Sequence, residues 1–468
     1  MRSMRVGGLG NDGGRLGKVG TPGARGNNFV FLQFRLGRMI VICPVMQKIC
    51  LLLTVLILGC HRKDDSVLTN RLQTLVDAKE YFKLENQYKA VKNDLSEKNR
   101  LYFAAFIDNA FNQNEACVAA VDSILGEQFA DSVKSKLLLL QEDSYFKLGE
   151  YAKAAYNDSM IIAAKALDSS LLSDIKNTRL IHDALRNTAP QQMSIADSTT
   201  VPWTKDSIGL IELPVTTDRQ TVSAIFDTRA NISSITKSYA EKLHLRLFDV
   251  SYMEGSGITG IQFKVGLGVV DSLYIGKLLI KNVVFQVMPD SILYIAPIKF
   301  QLNIILGWPA IAGLQEIRFY KDGRLTIPAG GGGGGGIMGD HNLALDGLDP
   351  VLALVSENDT LPFHFDTGAG TSILYSGYFQ KYQAVIQKAA IRKTQSFGGA
   401  GGVEKKDVYI LPALRVRLGQ KVVTVDSVSV LTAKIFPGEK FYGNIGRDFM
   451  QQFDEMTFNF RDMYVRGN

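Results

Sequence analysis

From residue 66 to residue 187 apolar side chains return at every third or fourth position, Pro is absent, and Ala, Leu, Lys and Glu are common. That spacing puts the apolar residues on one face of a helix, so the segment is predicted to be a set of amphipathic helices. Residues 188–206 break the pattern with Pro190, Pro202, Gln191, Gln192 and several Ser and Thr, and read as a linker. Beyond it come short runs of Val, Ile, Leu, Phe and Tyr separated by Gly, Asp and Asn. Ile208 to Val215, Val222 to Phe226, Leu278 to Met288, Val351 to Val355 and Val422 to Val430 are predicted strands. Gly330 to Gly336 is an unbroken glycine run and behaves as a flexible joiner between two β-rich segments, 207–328 and 343–468, within a glycine-rich linker over 329–342. No Gly-Lys-Ser/Thr follows it, which argues against a phosphate loop.

The two β-rich segments repeat a short pattern. Phe226-Asp227-Thr228-Arg229-Ala230 in the first matches Phe365-Asp366-Thr367-Gly368-Ala369 in the second, 139 residues later. In both copies a glycine closes an apolar run 80 residues after the Asp: Gly307 after Ile304-Ile305-Leu306, and Gly446 after Ile445. A duplicated unit carrying one carboxylate per copy is a way to build a paired-carboxylate site on a pseudo-two-fold axis. Two carboxylates held close together cannot both ionise cheaply, so they retain one proton between them. One then accepts a proton from a water while the other donates, which is acid/base hydrolysis without a metal or a covalent intermediate.

These motifs resemble the aspartic peptidase superfamily, and within it the bacterial retropepsin-like proteins, over about residues 206–468. The resemblance implies a bilobal all-β acid-protease fold with one Asp-Thr-Gly loop per lobe, Asp227 and Asp366 as the catalytic pair, and no cofactor. It implies that Thr228 and Thr367 bond across the lobe interface and that Gly368 lies against the pair. Two glycine-rich stretches, Gly255-Ser256-Gly257-Ile258-Thr259-Gly260 and Gly398-Gly399-Ala400-Gly401-Gly402, resemble the flaps that close over substrate. Gly255, Ser256, Gly257, Gly398, Gly399 and Gly401 would supply mobile hairpin tips, with a plain hairpin turn as the simpler alternative. The first stretch also spells G-x-G-x-x-G, but Ile261 to Val270 reads as strand where a dinucleotide site needs a helix.

Arg229 departs from the family pattern, which has glycine after Asp-Thr. A cation there favours ionisation of both carboxylates and works against a shared proton. Two functions therefore compete: an aspartic endopeptidase, or a catalytically impaired peptide- or protein-binding lipoprotein. Five scattered histidines and the absence of His-Glu-x-x-His and Gly-x-Ser-x-Gly give no support to metal or serine chemistry. His364, two residues before Asp366, reads as a packed histidine.

The helical segment adds a second resemblance. Tyr145-Phe146-Lys147-Leu148-Gly149-Glu150-Tyr151, followed by Ala154 and Ala155, is similar to the turn of a tetratricopeptide repeat. Tyr81-Phe82-Lys83-Leu84-Glu85-Asn86-Gln87-Tyr88 and Ala110-Phe111-Asn112-Gln113-Asn114-Glu115-Ala116 are weaker cousins. The implied architecture is a helical repeat-like domain, open to a protein partner, ahead of the two β lobes; a plain helical bundle is the alternative.

Charge belongs to the leader. Residues 1–59 carry eight Lys/Arg and one Asp, while the whole chain is +6, so the remainder is close to neutral and nucleic acid is not an expected partner. Met46-Gln47-Lys48, the apolar run Ile49 to Leu58, and Gly59-Cys60 resemble a bacterial lipoprotein signal peptide over 46–59 with Cys60 as the lipidated residue. Residues 1–45 then read as upstream sequence, and 60–65 as a polar tether whose Lys63-Asp64-Asp65 resembles a surface-export signal. The expected location is the bacterial cell envelope, lipid-anchored to the outer membrane on its periplasmic side or at the cell surface. Two lobes in one chain make a monomer the expected state. Past Cys60 the only cysteine is Cys117, in a helical pattern, so no internal disulfide framework exists.

Overall fold

The computed structural model describes residues 65–217, 220–255, 261–332, 341–399, 402–435 and 438–468. The leader, Cys60 and the expected lipoprotein signal lie outside these residues, as do Ser256, Gly257 and Gly401. The chain is multidomain, with helices over 66–185 followed by two β-rich lobes.

The helical part is three helix pairs and a closing helix. Ser66–Asp77 turns into Tyr81–Val91, Glu97–Ala110 into Asn114–Ile124, and Asp131–Lys147 into Tyr151–Ala164; Ser169–Leu185 ends the series. The three turns share one cap. Lys79, Asn112 and Gly149 all take positive φ (56°, 59° and 74°). In each turn the next amide donates back five residues: Glu80 to Leu75 O, Gln113 to Asp108 O, Glu150 to Tyr145 O. This is the left-handed cap that satisfies orphaned helix carbonyls. Ala105, Ala110, Ala120, Ala154 and Ala155 are buried, which lets the helices approach closely around Phe103 and Phe111. The cousin at Tyr81–Tyr88 is corrected: it lies inside a helix, and the first turn is three residues earlier, at Ala78-Lys79-Glu80. The aromatic pattern resembled the turn at 145–151, but the positive-φ residue decides where the chain reverses.

Each lobe is a curled sheet in which equivalent strands pair alike. In lobe 1 the strand Thr221–Phe226, which leads into Asp227, runs parallel to Ile304–Leu306; in lobe 2 Asp359–Phe365 leads into Asp366 and runs parallel to Gly443–Ile445. Ser233–Thr236 and Ile373–Leu374 occupy the matching positions, each antiparallel to the short strand and parallel to a long one. Each lobe also extends a long hairpin, Arg246–Gly255 with Gln262–Ile275 and Ile391–Gly399 with Gly402–Leu418.

A five-stranded sheet joins the lobes. Glu316–Tyr320 from the end of lobe 1 pairs with Glu455–Asn459 from the end of lobe 2, flanked by Arg324–Ile327 and Tyr464–Gly467. Its outer strand is Thr199–Pro202. The segment read as a linker is therefore ordered: Gln192–Ser194 adds to the lobe 1 sheet and Thr199–Pro202 to the shared one. Thr199 and Val201 face inward while Thr200 and Pro202 face solvent, so Pro202 sits on an edge where its missing N–H is tolerated. Asp65, placed in the polar tether by sequence, instead caps the domain by accepting the Ser96 amide at 2.6 Å and Asn99 Nδ2 at 2.9 Å.

The helical part grips both lobes. The Lys79 ammonium lies 2.7 Å from Asp346 Oδ2 in lobe 2, and the Tyr81 hydroxyl donates to Asp346 Oδ1 at 2.7 Å. On lobe 1, Asn177 from the closing helix donates to Met253 O (2.7 Å) and accepts from Met253 N (2.8 Å), so its amide completes the edge of the first hairpin.

Candidate active site

The two acidic loops meet between the lobes. Thr228 Oγ1 donates to Phe365 O at 2.9 Å and accepts the Thr367 amide at 3.1 Å. Thr367 Oγ1 donates to Phe226 O at 2.8 Å and accepts the Thr228 amide at 3.0 Å. Both threonines are buried, so these four bonds form without competition from water. Gly368 lies directly on the opposite acid: a Cβ there would fall 2.4 Å from Asp227 Oδ2. No larger residue fits without moving the carboxylate.

The frame behind each loop is the same. The Asp227 amide donates to Leu306 O and the Asp366 amide to Ile445 O. Ser233 Oγ accepts the Gly307 amide and Ser372 Oγ the Gly446 amide, each at 3.0 Å. The glycines that close the apolar runs are needed for close approach, since an added Cβ would lie 2.4 Å from Ala230 O at Gly307 and 2.9 Å from Ala369 O at Gly446.

The electrostatics are not symmetric. Burial, then the neighbouring Asp366, raise the Asp227 carboxyl to about 7, against the pull of the Arg229 amide and guanidinium. Asp366 accepts Asn444 Nδ2 on Oδ2 at 3.0 Å and the Ala369 amide on Oδ1 at 3.0 Å. Arg229 donates its backbone amide to Asp227 Oδ1 (2.9 Å), but its guanidinium crosses to lobe 2, donating to Asn444 Oδ1 (3.3 Å) with Nε 3.6 Å from Asp349 Oδ1. A second arginine was not singled out from sequence. Arg447 is buried, donates to Thr367 O at 2.8 Å and lies in the field of both Asp227 and Asp366. Burial weakens its hold on its proton, and the acids around it oppose that shift.

Of the residues expected to form flaps, Gly255 ends its strand and donates its amide to Glu254 Oε1, while Gly398 and Gly399 pair with Val403 and Gly402. Gly402 takes φ +155°, and a Cβ on it would lie 3.1 Å from Ile261 Cδ1, so the two hairpins come together near their tips. His364 is buried against Phe441, its ring driven neutral by burial and then by Arg229. Away from the cleft, His182 bridges two buried acids, with Nδ1 2.7 Å from Asp158 Oδ2 and Nε2 3.4 Å from Glu142 Oε1, and so ties three helices together.

Residues 213–310 match the family model described as aspartyl protease. The match falls within the first lobe. The matched stretch holds Asp227, Thr228 and Gly307. Among solved structures, a retropepsin-like aspartic protease from Rickettsia conorii is similar at 17% identity over 30% of this chain and 96% of that one, with a TM-score of 0.21. No curated protein matches the chain.

Proposed function

We propose that the chain is an aspartic endopeptidase that hydrolyses peptide or protein substrates through a water held between Asp227 and Asp366. The observation that carries the reading is the crossed set of threonine bonds, which keeps the two acidic loops in one place. Asp227 is the member that holds the proton below about pH 7. Asp366, with a donor on each oxygen, is the member suited to negative charge. In the reaction the water oxygen adds to the scissile carbonyl carbon. Asp366 takes the water's proton while Asp227 gives its own to the carbonyl oxygen. A proton then passes from Asp366 to the amide nitrogen while one hydroxyl of the gem-diol returns its proton to Asp227; the C–N bond breaks, and the carboxyl product and free amine leave the pair in its starting state.

A second reading, a peptide- or protein-binding lipoprotein with impaired chemistry, is favoured by the Arg229 guanidinium beside the pair. Cys60 as a lipid anchor in the bacterial envelope belongs to either proposal, as does the single-chain site in a monomer. Three helix pairs with one repeated cap, their positive-φ residues 33 and 37 residues apart, support a tetratricopeptide-like surface for a protein partner.

The test is cleavage of a mixed peptide library between pH 3 and 9 by the full chain. Turnover that falls off above about pH 7 is expected, with a loss of at least roughly 10³-fold in Asp366→Asn and in Asp227→Asn. Peptide capture without cleavage favours the binding protein; cleavage untouched by either change refutes the assignment.

A further inference from the structure

The 139-residue offset between the copies exposes a group of residues that the duplication did not supply. Arg229 stands where lobe 2 has Gly368, Asp349 where lobe 1 has Leu210, and Asn444 where lobe 1 has Ile305. The frame residues, in contrast, are kept: Ser233 with Ser372, and Gly307 with Gly446. The three departures meet. Asp349 and Asn444 both receive the Arg229 guanidinium, and Asn444 turns its own Nδ2 to Asp366. A cation, an anion and the amide that links them to the acid thus occupy one line across the lobe boundary.

We propose that Asp349 is a positioning residue for the acidic pair: it draws the Arg229 guanidinium onto lobe 2 and offsets its charge, so that Asp227 and Asp366 still hold one proton between them. This deepens the peptidase reading and rests on it. Without an anion beside it, a half-buried guanidinium close to the pair favours ionisation of both acids. Asp349 is well placed to hold it. Its side chain is only 7% exposed, and it pairs with Asp346 across the turn at Leu348, the same Asp346 that Lys79 and Tyr81 pin from the helical part. Burial raises the carboxyl of Asp349 and Arg229 opposes that shift.

The other charged groups facing this line are engaged elsewhere. Asp346 is matched by Lys79, Glu439 accepts from Ser376 and Ile435, and Asp448 accepts from Ser372. Asp206 accepts the Ile208 and Leu210 amides, and Arg447 is held on Thr367 O. His364 is neutral, and burial holds the Tyr375 hydroxyl protonated, pushed up to about 12. Arg447 keeps its charge and acts on both acids, so Arg229 and Asp349 set the balance at the pair against that constant background.

The experiment is a ¹³C-carboxyl titration of the full chain, with the Asp227 signal assigned by its loss in Asp227→Asn. Asp349→Asn is expected to lower the Asp227 midpoint by about one pH unit, and Arg229→Gln to raise it by about as much. The double variant is expected to return to within roughly half a unit of the parent. Should Asp349→Asn not fold, Arg229→Gln against the double variant carries the same test. Equal midpoints throughout, or single changes that move it the same way, overturn the proposal. Failure of the peptidase reading is separate: an inert parent whose midpoint shifts as described keeps the charge offset and loses the enzyme, whereas an active parent whose midpoint never moves does the reverse.

Discussion

Asp227 and Asp366 sit on equivalent turns, behind which equivalent serines, glycines and parallel strands repeat almost atom for atom. Each carboxylate accepts one loop amide, Arg229 N on Asp227 and Ala369 N on Asp366; the remaining contacts differ. Asp227 is crowded by Gly368 and holds its proton up to about 7, while Asp366 is dressed by Asn444. The scaffold is symmetric, and Arg229, Asp349, Asn444 and Arg447, which break the symmetry, lie beside the charge. Such an inequality assigns the acid and base roles in advance, whereas identical environments would leave the two groups interchangeable.

The largest effect should come from breaking what the lobes share. Thr228→Val removes a buried hydroxyl that serves both Phe365 O and the Thr367 amide, and Thr367→Val removes its mirror image. Each leaves two buried backbone groups unpaired, so each should cost about 2–4 kcal/mol in urea unfolding. The two losses should be similar, with less than additive loss in the double variant. A much larger loss for one would show that the two loops do not depend on each other equally.

A smaller effect sharpens the inequality of the acids. Asp227 holds its proton more tightly in the folded protein, at about 7, than its ordinary value of 3.8. Its contribution is thus fully present below about pH 4 and is lost as pH rises through 7. By pH 8 its ionisation works against the fold, so Asp227→Asn should be the more stable protein there and should lose less between pH 4 and 8. Melting temperatures measured across that range check the sign. A variant with the parent's pH dependence would mean that Asp227 is not the proton holder.

Much of this was legible in the sequence because it is local or periodic. The helical segment announced itself by spacing, and the duplicated Asp-Thr pattern with its matched glycines marked the two lobes. What escaped is non-local. Thr199–Pro202 read as a linker because its partner, Arg324–Ile327, is more than 120 residues away. The turn at Lys79 was hidden because a lysine gives no sign of positive φ, whereas Gly149 does. Asp349, Asn444 and Arg447 lie in strand or short-helix contexts with no motif of their own. A signal for them did exist: set against the first copy at the same offset, they replace Leu210, Ile305 and Trp308, and polar residues in place of apolar ones beside a catalytic-type motif mark altered electrostatics.

The most direct measurement of a proton held in common by the two lobes is the Asp227 carboxyl titration with Asp366 present and with Asp366→Asn. The midpoint is expected near 7 in the parent and distinctly lower in the variant, though still above the ordinary carboxylate range because burial remains. A parent midpoint near 4, or a raised midpoint indifferent to the loss of Asp366, would contradict it.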